Sequence, residues 1–255
     1  MRVIAGPEKK ARLLSEHERK ITAYHEMGHA LVGHFLEHTD PVHKITIVSR
    51  GQALGLTISL PTEDRYLTTK TALMHQMAMT LGGRAAEEIV FHEVTTGAAN
   101  DLEKVTATSK SMIMRFGMSE KLGPRVLGHS NDMPFLGRDY GAQADYSEEI
   151  AREIDDEIRR VIEEAHELAL AVLREHMDEL NTISMILIER ETIDRDQFER
   201  LVSGEAEDSV FPAAPPESTE DAKPAADRKP QPQTRPRPFP LPGGAAMQPP
   251  EPEAS

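Results

Sequence analysis

The sequence contains no cysteine among its 255 residues. This absence excludes disulfide bonds and zinc sites built from thiolates, and it fits a reducing compartment. The chain also has no uncharged apolar run of the roughly 18 residues that a membrane-spanning helix needs. We therefore expect this chain to be soluble, with no direct membrane span.

Basic residues are too few to balance the acidic ones. The chain has 29 Lys and Arg against 43 Asp and Glu, a net charge of -14. Because nucleic acids carry dense negative charge, this balance argues against nucleic acid as the main partner. The length is that of one or two domains.

Proline divides the chain into a domain and a tail. Thirteen of the eighteen prolines fall in residues 204–255, where apolar residues show almost no periodicity. Such a segment buries too little surface to offset its ordering entropy, so we predict a disordered tail there. Residues 1–14, with Gly6-Pro7 and a basic patch, are predicted to be a linker. The predicted domain is then residues 15–203.

The segment His25-Glu26-Met27-Gly28-His29 matches the H-E-x-x-H pattern. Four residues apart on a helix, the two histidines lie on one face, where both rings can bind one metal ion. Glu26 follows the first histidine directly, in the position of a general base that acts on water. The alternative is a histidine-rich, solvated helix, since the neighbouring sequence also contains His17, His34, His38 and His43.

A helix is predicted around this motif. Ser15 and Glu18 have the spacing of an N-terminal capping box. Apolar residues then recur with a helical period, which turns the motif inward or into a cleft: Ile21, Tyr24, Gly28, Leu31, Val32 and Phe35.

The rest of the domain is predicted to be mainly α, an α+β fold with a small β-hairpin. The hairpin strands are at residues 45–48 and 54–60. Helices are predicted at residues 69–92, 100–116, from 147 onward and at about 177–189, with a short last helix capped by Asp194. Residues 117–145 are predicted to be an irregular connection. Gly82-Gly83 indicates either a bend or close approach of another backbone.

The third metal ligand is not decided by spacing. A catalytic zinc usually has three protein ligands and leaves a fourth position open for water. Without cysteine, the candidates are Glu87 or Glu88 on the second helix, and Asp101 at the start of the third. Each has a plain alternative: the glutamates can be solvated helix residues, and Asp101 can simply favour a helix N-terminus.

Three further motifs follow in order, at residues 81–88 (LGGRAAEE), 95–102 (TTGAANDL) and 117–124 (GMSEKLGP). Over about residues 3–203 the chain closely resembles the protease domain of the FtsH family, the membrane-anchored ATP-dependent zinc metalloproteases of bacteria and organelles. The resemblance implies Zn2+ held by His25, His29 and Asp101, with Glu26 as catalytic base. Supporting positions around the ligands are suggested for Glu87, Glu88 and His92, although packing or solvation explains each of them as well.

Two departures from the family stand out. Met27 stands where most members would have Ala, and because it lies on neither the ligand face nor the base, we expect repacking without lost activity. The family's transmembrane and ATPase modules are missing from this chain, which contains no G-x-x-x-x-G-K-[ST] phosphate loop. ATP would act only in the missing ATPase module. The basic linker resembles the junction after the ATPase, which favours a fragment of a longer protein over a truncated product.

The sequence thus predicts a zinc endopeptidase domain for unfolded or membrane protein substrates. The strand at residues 54–60 either aligns the substrate as an added strand or is purely structural. For the full-length family the resemblance implies a homo-hexamer at the cytoplasmic side of the cell membrane. The competing prediction is a non-catalytic, protease-like interaction module, against which the intact Glu26 speaks.

Overall fold

A computed structural model describes residues 15–49, 54–61, 66–128 and 146–212 of the chain. The predicted linker and residues 213–255 of the predicted tail lie outside the described residues. Within them the fold is mainly helical, as predicted, with one small antiparallel sheet. The elements in chain order are α1 (Glu16–Phe35), β1 (Val42–Thr46), β2 (Leu56–Ser59), α2 (Lys70–Phe91), a 3-10 turn (Thr96–Ala98), α3 (Ala99–Lys110), a π-helical turn (Ser111–Arg115), α4 (Glu148–Glu175), α5 (Met177–Arg190), β3 (Thr192–Asp194), α6 (Arg195–Val202) and α7 (Glu207–Val210).

Helix α1 begins at the predicted capping box. The Glu18 amide donates to Ser15 Oγ at 3.2 Å, and the Ser15 amide donates to the Glu18 carboxylate at 2.9 Å. Two amides of the first turn, which have no partner within a helix, are thereby satisfied. Most of the helix from Thr22 to Gly33 is buried, including Met27, which belongs to the core and is fully inaccessible.

Helices α1 and α2 meet at glycines. Helix α2 runs through Gly82 and Gly83 without interruption. A Cβ atom on Gly82 would lie 2.6 Å from the Gly28 carbonyl oxygen, and one on Gly28 would collide with the Gly82 carbonyl. Of the two interpretations of this glycine pair, the structure therefore supports close backbone approach.

The sheet has three strands in the order β2-β1-β3, with both neighbours antiparallel to β1. The predicted hairpin is present, although its first strand begins and ends a few residues earlier than expected. The third strand was not predicted, because its three residues between two helices are too few for an alternating pattern. Ile45 pairs with Thr57 on one side and with Ile193 on the other.

Folded structure continues beyond residue 203, where the sequence predicted that it would end. Helix α7 buries Val210, and Arg190 binds Glu207 at 2.6 Å while its guanidinium lies 4.8 Å from the centre of the Phe211 ring. One apolar side chain and one ion pair leave no periodic signal in the sequence, so these contacts could not be predicted from it.

Helix α4 is the long amphipathic helix predicted from Ser147, whose side chain caps it. Across the four described stretches of the chain, no helix is both long and apolar enough to cross a membrane.

A buried carboxylate on α4 holds the segment that follows the π-helical turn. Ser119 donates to Glu157 Oε2 at 2.6 Å, and Arg160 donates to both carboxylate oxygens at 2.9 and 3.2 Å. The Leu122 amide in turn donates to Ser119 Oγ at 3.1 Å. The hydrogen bonds from Arg160 and Ser119 outweigh burial and lower the pKa of Glu157 below its ordinary value.

We predict that Glu157→Gln destabilises the domain at pH 7 by about 1–3 kcal/mol, since a charged acceptor of three hydrogen bonds is lost. Because the folded-state pKa is the lower one, this stabilisation is present above the unfolded pKa of about 4.3 and is lost as pH falls through the folded value. Urea unfolding at pH 7 measures the loss of stability in the variant, and urea unfolding at about pH 3 measures how far that loss shrinks in acid.

The matched control is Glu164→Gln. Glu164 also binds Arg160, at 2.9 Å, but its side chain is 61% exposed, so we expect a loss under about 1 kcal/mol. Equal losses in the two variants, or a Glu157→Gln penalty that does not shrink in acid, would contradict the assignment.

Candidate metal centre

The two motif histidines direct the same ring nitrogen toward one point. Their Nε2 atoms lie 3.0 Å apart on the inner side of α1. His25 Nδ1 lies 2.7 Å from Glu87 Oε1, and His29 Nδ1 lies 2.9 Å from the Met79 carbonyl oxygen. Each acceptor can accept a hydrogen bond from Nδ1–H, and a neutral ring in that tautomer keeps its Nε2 lone pair for a metal ion.

Asp101 completes a triangle of ligand atoms. It lies in the first turn of α3. Its Oδ2 atom is 3.4 Å from His25 Nε2 and 3.3 Å from His29 Nε2, and its Oδ1 atom accepts a hydrogen bond from Lys104 at 3.0 Å. Among the residues that the structure describes, this trio is the group of possible metal ligands found within 4.8 Å of one another.

The spacing of these atoms fits a tetrahedral zinc ion. Zinc–nitrogen and zinc–oxygen bonds of about 2.0–2.2 Å at tetrahedral angles place neighbouring ligand atoms about 3.3 Å apart. The three observed separations run from 3.0 to 3.4 Å. Two imidazoles and one carboxylate also leave the fourth position open, as in catalytic zinc sites.

The electrostatics of the cluster favour a bound positive charge. Burial of His25 lowers its pKa. Hydrogen bonds with Asp101 and Glu87 and the charge of Glu26 have the larger, opposite effect, and the net result raises the pKa of His25 to about 10. Burial raises the pKa of Asp101, but hydrogen bonds from His25 and His29 hold it well below its usual range. The site therefore attracts a proton or a cation in preference to staying neutral.

Glu26 lies in the same cleft, of about 1070 Å³, that His25, His29 and Asp101 line. The residue is 7% exposed, and its Oε2 atom accepts a hydrogen bond of 2.6 Å from Thr57 in β2. A buried carboxylate in the same cleft as three candidate metal ligands has a location that suits a general base.

Of the three residues predicted to support the ligands, Glu87 contacts a motif histidine, whereas Glu88 and His92 lie elsewhere. Glu87 is 1% exposed; its Oε1 atom contacts His25, and its Oε2 atom accepts from the Thr95 amide at 2.7 Å. Burial raises the Glu87 pKa, but these hydrogen bonds lower it more, so the net shift is downward. Glu88 instead points to His166 on α4 at 3.3 Å, and His92 is an exposed C-cap with left-handed backbone.

Sequence reasoning missed three contacts: the Thr57 hydroxyl, the Met79 carbonyl and the Lys104 ammonium group. Any residue type supplies a carbonyl, so Met79 leaves no trace in the sequence. Thr57 lies on a strand, where threonine is common for its shape alone. Lys104 stands three residues after Asp101, a spacing that predicts contact on a helix, and it is the one contact of the three that a sequence signal reveals.

Comparisons with known proteins identify the family of this chain. The model of Peptidase family M41 matches residues 12–201. ATP-dependent zinc metalloprotease FtsH 1 of Conexibacter woesei is 64% identical over 247 residues, which is 96% of this chain and 38% of that protein. The FtsH protein of Rubrobacter xylanophilus is 54% identical over 207 residues, 81% of this chain and 32% of the relative. FtsH 2 of Alkaliphilus metalliredigens is 50% identical over 204 residues, 80% and 30% respectively.

The chain thus spans between 30% and 38% of the length of these three relatives. The family match covers the described helices from α1 through α5, the sheet and nearly all of α6. It confirms the resemblance that the four sequence motifs indicated: the chain belongs to peptidase family M41.

Proposed function

We propose that this chain is a zinc-dependent endopeptidase domain that hydrolyses peptide bonds of unfolded proteins. The observation that carries the proposal is the convergence of two Nε2 atoms and one carboxylate oxygen, 3.0 to 3.4 Å apart, in the cleft that also holds Glu26. This combination is what metal-assisted hydrolysis requires.

His25, His29 and Asp101 are the proposed zinc ligands. A zinc ion held there supplies Lewis-acid chemistry, polarising the scissile carbonyl and making water a better nucleophile at neutral pH. The names of the FtsH relatives describe them as zinc metalloproteases. Glu87 orients His25 through Nδ1, and the Met79 carbonyl does the same for His29, so both rings present Nε2.

Glu26 acts as the general base. Its carboxylate takes a proton from the attacking water and delivers it to the leaving amine nitrogen, so that one group serves both halves of the reaction. The Thr57 hydroxyl donates to Oε2, and Glu26 lines the cleft in which water and substrate would meet.

Strand β2 is the proposed substrate-aligning element. It pairs with β1 along one edge, and Leu54, Gly55, Leu56 and Thr57 line the cleft. An extended peptide can add to the other edge by main-chain hydrogen bonds, which do not depend on side-chain identity. Segments of an unfolded chain adopt this extended conformation readily, which supports unfolded proteins as the substrate class.

The wider assignments from the resemblance stay predictions for this chain. They are ATP-dependent feeding by an ATPase module, a homo-hexameric ring, membrane protein substrates and a location at the cytoplasmic side of the cell membrane. The alternative, a non-catalytic interaction module, has no need of a metal, so bound zinc and a cleavage assay separate the two.

We predict that Glu26→Gln retains about one zinc per chain but loses cleavage of casein by a factor of at least about 10². Glutamine fits the same space and cannot accept the proton. Zinc content by atomic emission and cleavage by release of labelled peptides are the two measurements. Glu16→Gln, an exposed change in the first turn of the same helix, is the control and should cleave like the unmodified chain. Cleavage by Glu26→Gln at the unmodified rate would remove Glu26 from the mechanism.

We predict that Asp101→Ala loses zinc during purification, because two imidazoles alone hold the ion weakly. Glu88→Ala, which removes an exposed carboxylate that contacts His166, should keep about one zinc per chain. Metal retained in Asp101→Ala and lost from the Glu88 variant would transfer the third ligand position to α2.

Glu87→Ala tests the support of His25. We expect a 10- to 100-fold loss of zinc affinity, the usual effect of removing a carboxylate that orients a metal-bound histidine. Competition with a chromophoric chelator measures the affinity. Glu87→Gln, which keeps an acceptor for Nδ1, should fall between the alanine variant and the unmodified chain. An affinity unchanged in Glu87→Ala would show that His25 is oriented without it.

A further inference from the structure

A catalytic base must be held at one place, and Glu26 is held by the strand opposite it. Thr57 Oγ1 lies 2.6 Å from Glu26 Oε2 and 3.1 Å from the Glu26 carbonyl oxygen. A hydroxyl has one proton, and the shorter distance together with the negative charge directs it to the carboxylate. The Thr57 hydroxyl in β2 therefore fixes the position of the Glu26 side chain, which extends from α1.

Gly55 provides the space for the same carboxylate. A Cβ atom on Gly55 would lie 2.6 Å from Glu26 Oε1 and 2.7 Å from Glu26 Cγ, far inside contact distance. Gly55 and Thr57 are two residues apart on an extended segment, so both face the same side of it. One residue leaves room for the carboxylate, and the other donates to it.

We propose that Thr57 and Gly55 are positioning residues for the general base, so that the strand aligning the substrate also sets the place of Glu26. The proposal rests on the function proposed above, since it takes Glu26 as the base and β2 as the strand that binds peptide. Because the substrate-aligning strand and the residues that position Glu26 are the same segment, the distance between the peptide bond and the base depends on residues 55–57 rather than on the metal ligands.

A purely structural role for the hydroxyl would give a different result. Thr57 would then stabilise the sheet, as Thr46 does on the neighbouring strand, where its hydroxyl contacts Thr192 Oγ1 at 2.8 Å and the Glu191 carbonyl at 3.0 Å. Thr46 does not line the cleft. Its valine variant is therefore the matched control for a threonine hydroxyl lost from this sheet.

The test compares Thr57→Val, Thr57→Ser, Gly55→Ala and Thr46→Val in the zinc-loaded 255-residue chain, with a quenched fluorescent peptide as substrate. We expect kcat to fall about 10- to 100-fold in Thr57→Val, the range for a lost hydrogen bond to a charged group, with KM within about twofold. Thr57→Ser should stay within about threefold of the unmodified kcat. Gly55→Ala should lower kcat as well, because its methyl group displaces the carboxylate. Thr46→Val should lower the melting temperature and leave kcat unchanged.

A second measurement needs no catalysis. In the metal-free chain, Thr57→Val should lower Tm by about 3–8 °C, since a buried carboxylate loses its donor. In a Glu26→Ala background the same substitution should lower Tm by clearly less, because the carboxylate is gone and the hydroxyl loses only its contact with the main-chain carbonyl of residue 26.

The outcomes separate the two proposals. If the unmodified chain cleaves and Thr57→Val has its full kcat, or if Thr57→Val lowers Tm equally with and without Glu26, the positioning role is wrong. If the unmodified chain binds zinc but does not cleave, the proposed function fails, whereas the Tm comparison still decides whether Thr57 holds Glu26.

Discussion

The close crossing of α1 and α2 is the constraint on which the site depends. At Gly28 and Gly82 the two backbones are so near that neither position has room for a methyl group, and a Cβ on Gly83 would lie 2.6 Å from the His25 ring. Only at this separation does α2 bring Glu87 and the Met79 carbonyl within hydrogen-bond distance of the two imidazoles. The helix propensity lost at each glycine, about 1 kcal/mol relative to alanine, is offset by packing that a larger residue would prevent.

Charge is concentrated where the helices meet. Glu26, Glu87 and Asp101 bring three carboxylates to a cleft with two imidazoles, and Lys104 is the cation paired with Asp101. Burial of so many acceptors is unfavourable unless a positive charge joins them. Because the proposed ligands come from α1 and α3 and the groups that contact them from α2, binding of a cation should also stabilise the packing of all three helices.

Local features of this protein could be predicted from the sequence, and distant ones could not. The H-E-x-x-H motif, the capping box at Ser15, the cap at Asp194 and the helix periods depend on neighbours within four residues, and the structure contains them. The choice between Asp101 and Glu87 depends on how α3 packs against α1, which spacing does not encode. Strand β3 is too short to show a period. The hydroxyl of Thr57 acts across the fold on a residue 31 positions away.

Glu87 uses both of its oxygens, and they reach different parts of the chain. One holds the ring of His25 on α1, and the other holds the Thr95 amide in the turn that leads to Asp101. A single carboxylate therefore connects two segments that each carry a proposed metal ligand. The orientation of the His25 ring and the position of that turn are therefore coupled through Glu87, so a displacement of one should displace the other.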